Sequence, residues 1–506
     1  MKKIFTFYLF LVIVKLYSQV ITLDTSFGNA GFTLIPDTSE INCFDFDTSG
    51  NIISTGYAIA PGGGSIYHLT TAKTNSDGIL DSSFGTNGII KTAIAYSEMP
   101  YAIKILPDGR ILICGSAYLG PTPSGPGGYI GFAIRYDKDG KIDESFATNG
   151  IFRLSTVSHF LSIINLADDS IILAGNNNLG GILAKLDKNG DLNTQFGNNG
   201  VLSLSENNFR FAIEEAKILS DNKILCVGSD YSENENPKIA FSKIDEYGSF
   251  DSTFGQNGKM ILDFYDNKES EVVYEYALHS KETNDNKIII NSIVGNEGVL
   301  LKINQNGTLD STFGSNGIVG DFYPINRRIE LQPDGKILRG VNKQISDYNV
   351  GYSLARVLTN GTADHNFNNN TGFFDVDISP KHDYIQDMKL QGTEKLIIAG
   401  SGKNSNLVTN FALTRVNLNS NLSTNDLKER NPISVYPNPS SGKFNIKSSN
   451  KITTIKIFDS SGKNIINLNN PKINFDISYL NDGIYFLEII DINNDKFYEK
   501  IIIKNN

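Results

Sequence analysis

Acidic side chains recur at alternate positions just before a glycine, which is how a calcium-binding loop begins. The clearest example is Asp137-x-Asp139-Gly140-x-x-Asp143. A calcium loop also needs a bidentate carboxylate further along, and no glutamate follows at that spacing. Other copies of this segment place asparagine where it has aspartate, which a tight turn tolerates and a charge-dependent metal site does not. The pattern therefore predicts a hairpin turn, with calcium binding as the alternative.

Side chains that could act as nucleophiles or bases are scattered along the chain. The five histidines show no metal-ligand spacing, and no HExxH, GxSxG or phosphate-loop pattern is present. Cys43, Cys114 and Cys226 are odd in number, far apart and inside apolar runs, which predicts buried free thiols without a disulfide. A glycosidase-like carboxylate pair stays open, although none stands out. We therefore assign no catalytic, cofactor-binding or metal-binding residue and predict no cofactor.

The acidic turns belong to a unit that occurs seven times. Its signature is Asp-x-x-Phe-Gly-x-x-Gly, with phenylalanines at positions 27, 84, 146, 196, 254, 313 and 367, a spacing of 50 to 62 residues. Solenoid repeats are usually shorter, about 20 to 45 residues, whereas propeller blades run to about 40 to 50 or more. Each unit holds four strand-like runs separated by turn signals such as Pro107-Asp108-Gly109, and none shows a helical apolar period. The repeat therefore predicts an all-β propeller.

Strand counting predicts how this propeller closes. The first Phe-Gly strand, within 25–36, precedes any partner, and the seventh set of three strands ends at 411–423 without a fourth. An N-terminal strand on the outer edge of the last blade solves both problems and leaves no exposed sheet edge. We predict a seven-bladed β-propeller over 19–423, with an eight-bladed ring or an open array as the alternative.

The repeat resembles the delta-60 repeat, a bacterial propeller family of unassigned function. Segment 132–146, Phe-Ala-Ile-Arg-Tyr-Asp-Lys-Asp-Gly-Lys-Ile-Asp-Glu-Ser-Phe, carries the resemblance, and seven copies are in phase. Two copies depart from the Phe-Gly pair, with Ala147 and Asn368 in place of glycine. The resemblance implies a fold and no reaction.

A basic residue recurs two positions before the turn that follows each third strand. The set is Lys73, Arg135, Lys185, Lys243, Lys302, Arg356 and Arg415. Alternate residues of a strand share a face, so Arg135 and Asp137 should point the same way. We predict a ladder of ion pairs within or between blades. A cationic ring for an anionic ligand is the alternative, weakened because first strands, not third strands, line the channel of a propeller.

The longest insertions fall on the face opposite the tight turns. They span 57–66, 116–130 and 229–238. Loops on a rigid scaffold carry function more often than turns do, so we predict a binding surface on this loop face. The alternative is that these loops are solvent-exposed connections without a function. The tyrosines placed on it are Tyr57, Tyr67, Tyr118, Tyr129 and Tyr231.

The start and the charge of this 506-residue chain bear on its destination. Residues 1–18 combine a basic start, an apolar run of about a dozen residues and a small residue at the cut, as a secretory signal peptide does. A membrane span needs about 20 apolar residues, and no segment of this sequence reaches that length. The formal charge of −10 argues against a nucleic-acid partner, because phosphate binding needs a basic face.

The C-terminal part has a different pattern. After a polar linker at 424–431, short alternating strands predict a small Ig-like β-sandwich over 432–506. Its Pro-Asn-Pro, Ser-Gly-Lys and Gly-Ile-Tyr segments closely resemble the type A sorting domain of the type IX secretion system. The resemblance implies that type IX machinery is a partner of 432–506 and that the protein is secreted or attached at the outer-membrane surface. An unrelated Ig-like binding module is the alternative.

Two functions are compatible with this organisation. We favour a non-catalytic propeller that binds an extracellular glycan or protein; the alternative is an exported polysaccharide- or protein-degrading enzyme with its site on the loop face. An enzyme should gather a few acids, a histidine or a tyrosine in one pocket that breaks the sevenfold pattern. The seven copies show no such clear break in sequence.

Overall fold

Regular structure is almost entirely β, as the alternation of apolar runs with glycine, asparagine and aspartate turns predicts. The computed structural model describes residues 20–504 except 37, 61–65, 124, 126, 207–208, 233–235, 265–273, 323–324, 347–348, 377–383, 405, 407, 421–433, 449, 460–462 and 493–495. The signal peptide expected at 1–18 and the linker expected at 424–431 lie outside the described residues. Contacts divide the chain into two compact units, Met1–Asn419 and Ser420–Asn506.

The described residues of the first unit form seven antiparallel sheets. Two N-terminal strands come first, β1 (Val20–Leu23) and β2 (Phe32–Ile35). The first three sheets are β3 (Glu40–Phe46), β4 (Ile52–Ile59), β5 (Tyr67–Thr74), β6 (Ile89–Thr92); β7 (Ser97–Ile105), β8 (Ile111–Tyr118), β9 (Tyr129–Tyr136), β10 (Ile151–Leu154); and β11 (His159–Asn165), β12 (Ile171–Asn177), β13 (Gly180–Leu186), β14 (Val201–Ser203).

Four more sheets continue the series. They are β15 (Phe211–Ile218), β16 (Ile224–Asp230), β17 (Lys238–Ile244), β18 (Lys259–Leu262); β19 (Glu275–Glu282), β20 (Ile288–Val294), β21 (Glu297–Ile303), β22 (Ile318–Phe322); β23 (Ile325–Leu331), β24 (Ile337–Ser346), β25 (Asn349–Val357), β26 (Phe373–Val376); and β27 (Tyr384–Gln391), β28 (Lys395–Lys403), β29 (Thr409–Ser420). A single-turn helix, α1 (Phe367–Asn370), precedes β26. It replaces part of the degenerate seventh signature, where the sequence predicts no helix.

The first strands of neighbouring sheets pack side by side around a ring. β7 lies between β3 and β11, β15 between β11 and β19, and β27 between β23 and β3. The last sheet therefore meets the first, and the ring is closed. The hydrophobic cores lie between successive sheets; one of them, for example, joins Ile164 of β11 to Ile224 of β16.

The N-terminus completes the last sheet. β2 pairs antiparallel with β29, with Phe32 opposite Thr414 and Ile35 opposite Phe411. β1 borders the same strand, which makes this sheet five-stranded. The sequence predicts one closing strand here, and the structure has two, because a turn beginning at Thr25 interrupts the segment.

The aspartate and phenylalanine of several signatures, though not of all, position the basic residue of the third strand. Arg135 donates from Nε to Asp143 Oδ2 at 2.7 Å, and its guanidinium lies 4.5 Å from the centre of the Phe146 ring. It also donates to the carbonyl of Lys188 in the next sheet at 2.6 Å. Arg356 and Arg415 make the equivalent ion pairs with Asp364 and Asp24, both at 2.8 Å. The ladder is thus present, but the partner of Arg135 is the signature aspartate and not Asp137.

A glycine from the following sheet covers each of several signature rings. At Gly190, which has a φ of +89°, an added Cβ would lie 2.6 Å from Phe146. Gly78 and Gly140 face Phe27 and Phe84 in the same way. The glycine is required at these turns both by the left-handed backbone and by the close approach.

The second unit consists of two small sheets. One is β30 (Ser434–Tyr436), β31 (Lys443–Lys447) and β34 (Asn474–Asp476); the other is β32 (Ile452–Phe458), β33 (Asn464–Asn469), β35 (Gly483–Asp491) and β36 (Lys496–Ile503). Their shared core includes Phe444, Ile457 and Leu487. Among the described residues, no helix has the length and apolar character needed to cross a membrane.

Candidate functional site

A polar cavity of about 330 Å³ lies where the first strands of all seven sheets converge. We call it the channel. Each of these strands carries a register shift near its middle, for example between Pro100 and Ala102 in β7 and between Ala277 and His279 in β19. A bulge re-aims the side chain that follows it, and here those side chains meet in the channel. This post-bulge ring consists of Cys43, Ala102, Ser162, Glu215, His279 and Asp387, at which pairing resumes, together with Arg328. Arg328 lies within the longer irregularity of β23, between Ile325 and Ile329.

The ring breaks the sevenfold pattern that the turns preserve. No residue type occurs twice in it, whereas the signature positions repeat. The expectation that no copy departs clearly from the others was therefore wrong at this position. It was missed because the repeats were compared at their glycine and phenylalanine turns, whereas the variation lies in the first strand. Aligning first strands at a fixed distance before the Pro-Asp-Gly type of turn would have found it.

Several ring side chains bind the backbone of the neighbouring sheet. Each accepts a hydrogen bond from an N–H group of the next first strand: Ser162 Oγ from Ala216 at 2.9 Å, Glu215 Oε2 from Ser280 at 2.7 Å, His279 Nδ1 from Ile329 at 3.4 Å and Asp387 Oδ2 from Phe44 at 3.3 Å. The last of these joins the seventh sheet to the first. The ring therefore links successive sheets as well as lining the channel.

The tyrosines predicted on the loop face form separate groups. Tyr57 and Tyr67 have ring centres 4.8 Å apart, and Tyr118 and Tyr129 are 5.0 Å apart. Tyr231 joins neither pair; its hydroxyl bonds to Tyr276, which was not singled out from sequence. The structure therefore brings four of the five predicted tyrosines into two pairs.

A groove of about 380 Å³ lies beside the first pair, between the first and last sheets. Its lining is Ser39, Glu40, Tyr57, Ile59, Tyr67, Tyr384, Ser401, Lys403 and Thr409. Tyr57 donates its hydroxyl to Glu40 Oε2 at 2.8 Å, and Gln386 donates to Oε1 of the same carboxylate. Burial and this carboxylate raise the pKa of Tyr57, so its hydroxyl stays protonated. We call this the tyrosine groove; it combines aromatic faces with hydroxyl, carboxylate and ammonium groups.

Comparison with known families finds a match in each unit. Residues 434–504 match the family described as a secretion system C-terminal sorting domain. Residues 219–254 and 283–313 match the family described as a domain of unknown function (DUF5122) beta-propeller. The chain is a β-propeller protein with a type IX sorting domain. The two resemblances that the sequence suggested, to a propeller repeat and to a sorting domain, are thus confirmed at the level of fold and export.

Solved structures with a similar fold are distant in sequence. Polysaccharide lyase Uly1 is 11% identical, with a TM-score of 0.45, 78% of this chain covered and 92% of that one. An unknown function protein from Dyadobacter fermentans DSM 18053 is 10% identical, with a TM-score of 0.42 and coverages of 77% and 98%. The beta-propeller domain of the trilobed protease from Pyrococcus furiosus is 9% identical, with a TM-score of 0.38 and coverages of 75% and 94%. No curated protein matches the chain.

Burial and hydrogen bonding limit the reactivity of the thiol and the imidazole in the channel of the propeller. Burial, followed by the charge of Asp387, raises the pKa of the Cys43 thiol to about 12, so Cys43 is not a thiolate at neutral pH. All three cysteines are buried and free, as the sequence predicts. Burial and the cations nearby hold the pKa of His279 well below its usual range. With Nδ1 accepting from the backbone, the neutral ring carries its proton on Nε2 and donates to Glu215 Oε1 at 3.2 Å.

The acidic turns of the propeller use their first carboxylate to shape the turn. Asp137 Oδ1 accepts from the N–H groups of Asp139 at 2.9 Å and Lys141 at 2.8 Å. Asn75 Oδ1 accepts in the same way from Asp77 and Ile79. Because one oxygen suffices, asparagine replaces aspartate without loss. Among the described residues, no group of three or more His, Cys, Asp or Glu side chains is arranged to hold a metal ion.

Proposed function

We propose that the mature protein is an extracellular, seven-bladed propeller that binds a glycan in the tyrosine groove and catalyses no reaction. The sorting domain indicates export to the cell surface or the medium, which puts the groove in contact with extracellular polymers. Residues 1–18 would direct the first step, across the inner membrane.

The tyrosine groove is the observation that carries this proposal. Sugar rings present apolar faces edged with hydroxyl groups, and such ligands fit a site that combines aromatic faces with a few placed polar groups. Tyr57, Tyr67 and Tyr384 provide aromatic faces, and Glu40 and Lys403 provide an acceptor and a donor at the same groove. Glu40 is held in place by two donors, so the acceptor is preorganised.

The enzymatic alternative would place its chemistry on His279 and Glu215 in the channel. Nδ1 of His279 accepts from Ile329, and Glu215 Oε2 accepts from both the N–H and the hydroxyl of Ser280. These bonds occupy the lone pairs that a general base would use. A binding role therefore suits the described residues better than proton transfer.

Replacing Tyr384 with alanine should weaken glycan binding about tenfold, because an aromatic contact with its buried area contributes about 1.5 kcal/mol. Tyr384 is 38% exposed, so its loss should leave the fold intact. The probes are neutral, uronic-acid-rich and sulfated polysaccharides, measured by calorimetry with the wild-type protein and the variant.

Tyr247→Ala is the matched control, since Tyr247 is 73% exposed in a tight turn on the opposite face. Its affinity should equal that of the wild type. Equal weakening by both variants, or no effect of Tyr384→Ala on a glycan that binds, would count against the groove. Release of shortened products from any polysaccharide would support the enzyme instead.

Deleting residues 432–506 should trap the propeller in the periplasm, because the sorting domain is the part recognised at the outer membrane. Fractionation and immunoblotting of the producing cells measure this. Ile457→Asp, which places a charge in the core of the second unit, should give the same result if the folded sandwich is what the machinery recognises. Truncated protein found in the medium at normal yield would contradict the export role.

A further inference from the structure

Four lysines line the channel near the ends of the first strands. Lys104, Lys217, Lys281 and Lys389 each lie two residues beyond a member of the post-bulge ring. Because alternate residues of a strand share a face, all four are directed to the same side as the ring. Lys104 is the most accessible, with 47% of its side chain exposed. These four are the channel lysines, and Arg328 of the ring adds a fifth cation beside them.

Carboxylates pair with these cations but are also engaged by the backbone. Lys389 and Lys104 pair with Asp45 at 3.3 and 3.9 Å, Lys217 with Glu215 at 3.3 Å and Lys281 with Glu330 at 2.9 Å. Arg328 pairs with Asp387 at 3.5 Å and with Glu215 at 3.9 Å. Backbone N–H groups donate to the same four carboxylates: Ile105 to Asp45, Ser280 to Glu215, Leu331 to Glu330 and Phe44 to Asp387. The acceptors are therefore shared between main chain and lysines.

Among the residues that line the channel, the five cations outnumber the three carboxylates, which are Glu214, Glu215 and Asp387. Each ammonium group has three N–H donors and no acceptor. Lys104 and Lys389 share the single carboxylate of Asp45, which already accepts from Ile105. Lys389 also donates to the carbonyl of Phe44, and Lys217 donates to that of Ser280. A cavity whose walls carry more cations than carboxylates is complementary to an anionic ligand.

The electrostatic state of His279 agrees with this surplus. Its Nε2 lies 3.2 Å from Glu215, which by itself would favour the imidazolium form. After burial, the charges of Lys217 and Arg328 are the strongest influences, and they hold the pKa of His279 well below its usual range. At the His279 ring, the neighbouring cations thus outweigh the carboxylate of Glu215.

We propose that the channel lysines bind the oxyanion group of a small acidic solute, either an inorganic oxyanion or the carboxylate of a sugar acid. The cavity of about 330 Å³ is in the size range of ligand pockets and holds a group as large as a monosaccharide. This site differs from the tyrosine groove. The groove lies where β3 and β27 begin, at Glu40 and Tyr384, whereas Lys104 and Lys389 lie near the ends of β7 and β27.

The test is calorimetric titration of the mature full chain at constant ionic strength with sulfate, phosphate, glucuronate and, as a neutral comparison, glucose. The wild-type protein should bind at least one of the three anions and not glucose. Lys104→Gln combined with Lys281→Gln should weaken that binding at least tenfold, because it removes two charge-assisted donors. Which anion binds most tightly distinguishes the inorganic source from the sugar acid.

Lys138→Gln is the matched control, since Lys138 is exposed in a tight turn near the same end of the propeller and its loss changes the net charge by one. It should leave the affinity within twofold. If the double variant does not fold, Lys104→Gln alone tests the proposal. The shift in melting temperature that the anion induces should then be smaller than in the wild type. No binding of any anion to the wild type, or equal weakening by Lys138→Gln, would overturn the proposal.

Discussion

Replacing Arg415 with glutamine should lower the free energy of unfolding by about 3 kcal/mol, the low end of the cost of breaking a buried ion pair. Arg415 is 4% exposed and donates from Nε to Asp24 Oδ2 at 2.8 Å. It also donates to the carbonyl of Ser76 at 2.7 Å, so it joins the N-terminus, the last sheet and the first sheet. The loss is at the low end because Lys395 still faces Asp24 at 2.9 Å. Urea denaturation measures it.

This interaction should also weaken in acid. Burial opposes ionisation of Asp24, but bonds from Ser26 and Lys395 and the charge of Arg415 outweigh it and lower its pKa to about 2. An unfolded aspartate has a pKa of about 4, so the carboxylate contributes its stability above about pH 4 and loses it as the pH falls through 2. The difference between the wild type and Arg415→Gln should therefore narrow from pH 6 to pH 2.5.

Arg110→Gln is the control for a salt bridge at the surface. Arg110 pairs with Asp108 at 2.6 Å, and these side chains are 33% and 50% exposed. It also lies 3.4 Å from Asp143, which keeps its closer partner Arg135 in the variant. Surface pairs contribute about 0–1 kcal/mol, so this variant should unfold close to the wild-type midpoint. Losses of equal size at Arg110 and Arg415 would mean that ring closure does not depend on the buried pair.

Replacing Gly190 with alanine should destabilise the propeller by about 2–5 kcal/mol. A left-handed backbone costs a non-glycine residue about 1–2 kcal/mol, and overpacking costs about 1–3 kcal/mol more. Both apply here, since the φ of Gly190 is +89° and the new Cβ would lie 2.6 Å from Phe146 and 2.8 Å from the amide nitrogen of Ala147. The ring of Phe146 is fully buried and has no room to yield. Chemical denaturation of both proteins measures the difference.

Gly392→Ala separates the two contributions. Gly392 has a φ of +70°, but an added Cβ would meet nothing within 4 Å. This variant should lose only the backbone part, about 1–2 kcal/mol. If the two variants were equally stable, the close packing of the turn glycine on the signature phenylalanine would not contribute to the stability of the propeller.

The two departures from the Phe-Gly pair show how far the signature can vary. Ala147 has a φ of 48° and Asn368 a φ of 50°, close to the value of 54° at Gly28. The backbone conformation is therefore kept although the residue type is not. Asparagine adopts this region more readily than alanine does, so the strain falls mainly on Ala147. The amide of Ala147 still donates to the carbonyl of Asn189 in the next sheet at 2.6 Å, which holds the conformation in place.

The fold could be predicted from sequence because its determinants are local and repeated. Each copy carries its own turn residues, and the order of strand-like runs left the N-terminal segment as the partner that β29 lacked. Contacts between residues far apart in the sequence were harder to predict. Strand geometry predicts that Arg135 and Asp137 point the same way but does not identify the ion-pair partner. Asp137 is occupied by its own turn, and Asp143 reaches Arg135 after the chain has reversed.

The candidate sites were predictable only in part. The loop face could be located because insertions and tyrosines mark it, but Tyr384 and Lys403 come from the last sheet and join Tyr57 only when the ring closes. The post-bulge ring was hidden for a different reason. A bulge shifts which residue faces inward, and its position depends on strand pairing that no single copy reveals.

Closure by the N-terminus has a consequence for the order in which the protein is made. Asp24 pairs with Arg415, which lies 391 residues later in the chain. The earliest strands therefore have no final partner until nearly the whole propeller has been synthesised. Contacts so distant along the chain form slowly, because a long loop must close before they stabilise anything. The sorting domain, 434–504, comes after β29 in the chain. The segment that marks the protein for export thus emerges only once the strand needed for closure is already available, and an interrupted chain would lack both.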